Sequence, residues 1–253
     1  MLATRVMPCL LMDKGALVKT VQFRNQVYVG DPVNAVRIFN QKEVDELLLI
    51  DIAATTENRG IDFATLEKVV TECFMPICYG GGVDNLADMR RLYYLGIEKI
   101  SLSAAAIERP DLVREAADEF GSQAVVVTLD VKKNFFGKYT VRTHHGKVDT
   151  KQTAIDVSRN MESAGAGEII LYSIDRDGTW LGFDLKLIED ISHAVSIPVV
   201  ACGGAGELSH LRAAVNEAGA SAVAIGSMAV FQAKDLGVLI KFPSRQQQEK
   251  TFE

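Results

Sequence analysis

The chain has 253 residues, 48% of them hydrophobic, with 27 Lys and Arg against 33 Asp and Glu and a formal net charge of −6. An acidic chain without clustered Lys and Arg lacks what a phosphate backbone requires, so nucleic acid is excluded and small molecules or proteins are the expected partners. No stretch reaches the ~18 uncharged apolar residues of a membrane span, and the N-terminus MLATRVMPCLLMDKG is too short an apolar run for a signal peptide; a cytoplasmic protein without membrane contact is expected.

Along the chain, apolar runs at 5–11, 45–51, 74–79, 98–103, 123–130, 167–173, 197–202 and 220–226 predict strands. Between them, amphipathic stretches near 32–42, 62–72, 85–96, 109–119, 153–165, 184–194, 207–218 and, with a poorer pattern, 232–241 predict helices. Asp31-Pro32 and Arg109-Pro110 place proline at a first helical turn, where its missing N–H costs nothing. The runs ELLLID, AVVVTLD and EIILYS are continuous rather than alternating, as expected of parallel strands covered on both faces. Eight such units in one chain of this size predict a single (β/α)8 TIM barrel over 1–243, with halves of about 1–122 and 123–243. Residues 244–253, SRQQQEKTFE after Pro243, read as a frayed polar tail.

Long connections after the first and fifth strands, 12–30 and 131–152, are the expected functional loops. The second holds Lys132, Lys133, Lys138 and Lys147 with Phe135, Phe136 and Tyr139, the makings of a hairpin over the barrel mouth. Cys9, Cys73, Cys78 and Cys202 sit in or beside apolar runs without metal-ligand spacing, so buried reduced thiols are expected and neither metal nor cofactor is assigned.

Residues 45–82 read again, with changes, at 167–204: Glu46 with Glu168, Gly60 with Gly182, Asp62 with Asp184, Pro76 with Pro198 and Gly81 with Gly203. A constant offset across glycines, a proline and carboxylates points to two fused half-units. One mismatch breaks the symmetry: Cys9-Leu10-Leu11 stands where the second half has Thr128-Leu129-Asp130. Only one half supplies a carboxylate there.

Reactive groups of an eight-fold barrel sit where the strands end. Gly81 and Gly82 follow the third strand, Ser103 the fourth, Gly203 and Gly204 the seventh, and Gly226 with Ser227 the eighth. Glycines at strand-to-helix turns let backbone N–H groups approach a phosphate, so two facing phosphate sites and a substrate phosphorylated at both ends are predicted. Between them lie Asp51, Asp130, Asp175 and Asp177, with Asp177-Gly178 placed to orient a sugar. Asp130 ends a buried strand and is expected to have a raised pKa suited to acid–base work. At the opposite face Arg5, Glu46, Lys99 and Glu168 begin strands; pattern alone favours solvated flanking charges, with a neutral salt-bridged ring as the alternative.

The motifs MLATRV and PCL within 1–10, DELLLIDI at 45–52, YGGGV at 79–83, the turn at 101–106, FGSQ at 120–123, DRDGT at 175–179 and SIPVVACGGAG at 196–206 resemble the cyclase (lyase) subunit of imidazole glycerol phosphate synthase, HisF. The resemblance runs from Met1 to about Phe231. It implies a barrel that docks a HisH-like glutaminase at its strand-start face, draws ammonia through the barrel and performs cyclisation at the other face, making imidazole glycerol phosphate and AICAR from PRFAR in histidine biosynthesis. It further implies that Arg5, Glu46, Lys99 and Glu168 gate the ammonia passage and that Glu98 and Gln123 meet the glutaminase. Of the family's two catalytic aspartates, one corresponds to Asp130 and the other to Leu11, and Ser103-Ala104 replaces an Asn-Thr pair at the first phosphate site. The implied role is a paralogue that supplies ammonia to a ligase amidating a nucleotide sugar in surface polysaccharide (O-antigen, lipopolysaccharide) biosynthesis. Alternatives are an active cyclase using Asp130 alone and a non-catalytic activator of the glutaminase.

Overall fold

The computed structural model describes residues 4–253, so Met1, Leu2 and Ala3 of the opening motif lie outside the described residues. In chain order the strands are β1 (Arg5–Asp13), β2 (Ala16–Val21), β3 (Arg24–Gly30), β4 (Leu47–Asp51), β5 (Ile77–Gly80), β6 (Lys99–Leu102), β7 (Val125–Lys133), β8 (Tyr139–Thr143), β9 (Val148–Thr153), β10 (Glu168–Ser173), β11 (Val199–Cys202) and β12 (Ala222–Ile225). The helices are α1 (Pro32–Gln41), α2 (Phe63–Glu72), α3 (Leu86–Leu95), α4 (Ala104–Glu108), α5 (Pro110–Phe120), α6 (Ala154–Ala164), α7 (Leu185–Ser192), α8 (Leu208–Arg212), α9 (Ser227–Val230) and α10 (Arg245–Phe252).

Parallel pairing runs β10-β11-β12-β1-β4-β5-β6-β7, and β7 pairs back to β10, which closes the barrel. All eight expected strands are the barrel strands. The closing ladder sets Glu168 opposite Val126 and Tyr172 opposite Asp130. Two apolar layers follow from the two-residue side-chain period. Val6, Leu10 and Met12 of β1 face the helices, while Met7, Cys9 and Leu11 join Leu48, Cys78, Val126, Ile170, Val200 and Cys202 inside the barrel. Both faces of each strand are therefore apolar, which is why the runs do not alternate.

The repeat is visible in local chemistry. Asp62 and Asp184 cap α2 and α7 by accepting from Thr65 N at 3.1 Å and Leu187 N at 3.3 Å. Gly81 and Gly203 both take left-handed φ values, +112° and +93°, and a Cβ on either would run into a neighbouring backbone carbonyl, of Asp51 and Ser173 respectively. Each half also extends its first strand into an antiparallel hairpin, β1-β2-β3 and β7-β8-β9. The second hairpin is the one expected over the mouth. The first was expected only as a loop, and β1 itself runs on to Asp13 rather than stopping at residue 11.

Two expectations are corrected near the end of the chain. The stretch 232–241 is not a helix: Phe231 bridges Val238 and Leu239 N donates to Val230 O at 2.9 Å, folding the segment back antiparallel over α9. Gly237 and the run of apolar residues that follows it give no helical face there. Residues 244–253 are not frayed, because Ser244 and Gln247 form a capping box and Thr251 is buried. The short helices α4 and α9, which follow the strand ends at Ser103 and Gly226, were not anticipated. Among the described residues no helix is long and apolar enough to cross a membrane.

Loss of the cap tests how firmly α10 is held. Ser244→Ala is expected to lower stability by about 1 kcal/mol, read by urea denaturation, and to speed amide exchange at Gln247 first; unchanged exchange there counts against a capped helix.

Candidate functional site

At the strand-end face a cavity opens over the barrel interior, with Asp130, Leu11, Asp51, Ser101, Thr128 and Tyr172 in its wall. β7 delivers Asp130 there, and burial first and the Asp177 charge second push its pKa up to about 7. At that value the carboxyl exchanges a proton near neutral pH. Across the interior, Leu11 is 1% exposed. It fills the place with methyl groups, so no second acid faces Asp130 from β1. Asp13, two residues on, shares the strand face of Leu11 but turns to Arg59 at 3.7 Å, away from the cavity lining. Below Asp130, Ser101 Oγ and Thr128 Oγ1 lie 2.6 Å apart and supply a hydroxyl pair within the apolar interior.

The other strand-end carboxylates hold loops. Asp51 accepts from Ala53 N and Ala54 N at 3.1 and 3.0 Å and from Arg59 at 2.8 and 3.0 Å. Asp177 was expected to contact substrate. Instead its Oδ2 accepts from Thr20 at 2.6 Å and Phe23 N at 3.1 Å, and its Oδ1 from Tyr172 at 3.0 Å, which fastens the first hairpin to the loop after β10. Gly178 belongs to the same joint, since a Cβ there would meet Thr20 O at 2.3 Å. Asp175 accepts from Lys133 N at 2.9 Å and ties down the second hairpin.

The glycine turns divide into two clefts. Gly81, Gly82 and Ser103 share one of about 1110 Å³ with Arg109 and His144. Gly178 and Ser227 share another of about 1220 Å³ with Lys19 and Lys234. Gly203 and Gly204 lie outside the lining of both; a Cβ on Gly204 would lie 2.2 Å from Gly182 O, so close packing of the loop after β10 accounts for that glycine. Gly226 lies against Lys19, whose Nζ would be 2.9 Å from a Cβ at that position.

At the strand-start face Arg5, Glu46, Lys99 and Glu168 form a closed alternating ring. Arg5 meets Glu46 at 2.6 Å and also hydrogen-bonds Glu168; Lys99 meets Glu46 at 2.9 Å and Glu168 at 3.2 Å. Burial works to lower the Lys99 pKa, but Glu168 and Glu46 outweigh it and the net direction is upward. The four charges cancel, and each cation touches both anions. The reading of solvated flanking charges is thereby corrected.

Three groups escaped notice in the sequence. Lys19 is only 3% exposed, donates to the Cys9 carbonyl and makes no ion pair among the described residues. A lysine inside the apolar run ALVKTV was the available signal. His144 lines both the central cavity and the cleft of Gly82 and Ser103, and His145 stacks on Phe23 with ring centroids 5.0 Å apart. Burial first lowers the His145 pKa, with Lys147 adding to it. No local pattern marks either histidine.

With this geometry in view, the comparisons are informative. The sequence profile of the family described as histidine biosynthesis protein matches residues 5–234. A Pseudomonas aeruginosa protein, imidazole glycerol phosphate synthase subunit hisF2, is 47% identical over 243 residues, covering 96% of this chain and 97% of its own. The Leptospira borgpetersenii subunit HisF is 42% identical over 253 residues, covering 100% of both chains, and the Vibrio vulnificus subunit hisF3 is 41% identical over 254, covering 100% of this chain and 98% of its own. All three names are carried provisionally. A closed barrel matched over its full length by these relatives makes the chain a member of the histidine biosynthesis protein family, of the HisF-like, imidazole glycerol phosphate synthase subunit type.

Proposed function

We propose that this chain is the synthase-side subunit of a glutamine amidotransferase pair: it docks a HisH-like glutaminase on the strand-start face, admits ammonia through the charged ring, and conducts it to the cavity at Asp130. The observation that carries the reading is the combination of a complete floor and a changed mouth. The Arg5–Glu46–Lys99–Glu168 ring is closed and neutral, whereas the mouth pairs Asp130 with Leu11. The two cations of the neutral ring are partly exposed while both glutamates are buried, so one cation can swing toward solvent while the other still answers the carboxylates. Around it, Glu98 and Gln123 are exposed on the strand-start face, and so are Phe74 at 87% and Tyr94 at 95%. Large apolar side chains exposed beside polar ones are the composition of a protein interface.

Cyclase chemistry needs acid–base groups on both sides of the substrate, and the loss of one costs ~10²–10⁴-fold. We therefore assign the ammonia to another acceptor, the acetamido group of a nucleotide-linked sugar in surface polysaccharide biosynthesis, handled with a sugar-amidating ligase. Phosphate-bearing ligands enter by the Gly82–Ser103 cleft, where Arg109 and His144 offset the lost side-chain donors, and by the Ser227 cleft beside Lys19. Purified chain and glutaminase, assayed for glutamine hydrolysis with and without the bisphosphate substrate of the histidine pathway, test the pairing and the substrate assignment together. Hydrolysis stimulated by the chain but indifferent to that substrate is expected. Absence of stimulation removes the pairing, and strong stimulation by the bisphosphate with product formation restores the cyclase alternative.

Asp130 titrates in a range that can be observed directly. Because its folded pKa of about 7 exceeds the ordinary 3.8, its contribution to stability is fully present at acid pH and is lost as pH rises through about 7. Relative to Asp130→Asn, the wild type is expected to lose stability between pH 4 and 7 in urea unfolding, and a flat difference counts against the buried carboxyl. Lys99→Ala is expected to depress glutamine-driven amidation while sparing amidation driven by added ammonium salt. Its stability cost should fall below the ~3–5 kcal/mol of a fully buried pair, because Arg5 still answers both glutamates. Equal depression of both reactions makes the ring purely structural. Finally, the gene should fail to rescue a histidine auxotroph lacking the cyclase, and Leu11→Asp alone should not restore full growth, since Ser103 and Ala104 also differ; robust growth of the unmodified gene sinks the assignment.

A further inference from the structure

Between the two hairpins lies a cleft of about 820 Å³ that none of the glycine turns enters, and Arg24, Lys132, Arg142 and Lys147 all line it. Four cations in one cleft stand out on a chain of net charge −6. Arg142 meets Asp149 through Nη2 at 3.1 Å, yet its Nε is buried and has no hydrogen-bond partner among the described residues. Arg24, Lys132 and Lys147 form no ion pair with any described residue. Gathering like charges is unfavourable unless something of opposite sign joins them.

The β7–β8 ladder explains how the cleft is aimed. Arg142 sits directly opposite Asp130, and Lys132 opposite Thr140. Residues 130 and 132 share one face of their strand by its two-residue period, so the cations continue the side of the ladder that carries Asp130. Phe23 and His145 line both this cleft and the central cavity, which makes their stacked rings the partition between the two. A phosphate group brings about −1.5 to −2 charges at pH 7. With Arg142 paired to Asp149, the three remaining cations still exceed what one such group neutralises, and guanidinium and ammonium groups are suited to phosphate oxygens.

We propose that the cleft between the hairpins binds the diphosphate, or multiply phosphorylated, end of a small-molecule ligand whose remainder passes the Phe23–His145 stack toward Asp130. The site is separate from the turns at Gly82 and Ser227, and it stands whether or not a glutaminase docks on the opposite face. The test is a titration of the full-length chain with inorganic pyrophosphate, following the imidazole resonances of His145. A saturable shift is expected, weakening as salt is added. The Lys132→Ala/Lys147→Ala variant should need about tenfold more pyrophosphate for the same shift, the loss of roughly 1.4 kcal/mol of binding. Lys147 is exposed and Lys132 half-buried, so folding is not at stake, and far-ultraviolet circular dichroism verifies this. No saturable shift in the wild type, or a midpoint unchanged in the double variant, overturns the proposal. Saturation by a short polyglutamate peptide at lower concentration than by pyrophosphate also overturns it, assigning the cleft to an acidic protein segment instead.

Discussion

Closure of the parallel sheet into a barrel, which brings β12 back to β1 and sets β10 beside β7, is the constraint on which the remaining structure depends. Without closure Arg5, Glu46, Lys99 and Glu168, which begin four different strands or precede them, do not meet, and Asp130 faces no enclosed cavity. With closure, Glu168 joins Glu46, Arg5 and Lys99 at one end, and Tyr172 stands beside Asp130 at the other. A closed parallel barrel has an interior that side chains must fill. Here Met7, Leu48, Cys78, Val126, Ile170 and Val200 fill the middle, with the Ser101–Thr128 hydroxyl pair satisfying itself there, and the charged groups stand at the two ends. Function at either face follows from that division, because a charge placed in the apolar middle would have no partner to offset its desolvation.

The two halves share local devices and put them to different uses. Both extend their first strand into a hairpin, but the first hairpin is fastened by Asp177 through Thr20, Phe23 and Tyr172, while the second is held by Asp175 through Lys133. Carboxylates that looked available for substrate are thus occupied in holding the mouth together. This leaves Asp130 as the strand-end carboxyl whose environment raises its pKa into the neutral range. Leu11, its counterpart in the other half, contributes packing to the barrel interior and nothing to proton transfer.

The two faces constrain their residues unequally. At the floor, four charges satisfy one another in a closed ring, and removing any one would leave its neighbours incompletely paired. At the mouth, Leu11, Ser103 and Ala104 line the open cavity and carry no charge that a neighbour must answer. A surface that can change freely without unfolding the barrel is where a new acceptor would be accommodated, and the histidines and cations of the second hairpin stand on that surface.

Much of the architecture was legible in the sequence because it rests on local, periodic signals: eight apolar runs, prolines that open helices at Pro32 and Pro110, and paired glycines whose φ values no other residue adopts easily. The poorer pattern at 232–241 misled, because apolar residues there serve a folded-back segment rather than a helical face, and the capping box at Ser244 was overlooked in a polar tail. Glycine turns and strand-end carboxylates could be named, yet not their use. Whether Asp177 faces a ligand or Thr20, whether Arg5 and Glu46 are solvated or paired, and whether Lys19 points outward or lies buried beside Gly226 all depend on partners 10 to 163 positions away. Periodicity and turn residues, which depend on neighbours along the chain, mark the barrel strands and the candidate residues; which charges neutralise one another is set by barrel closure, which gathers Arg5, Glu46, Lys99 and Glu168 from separate strands to one end.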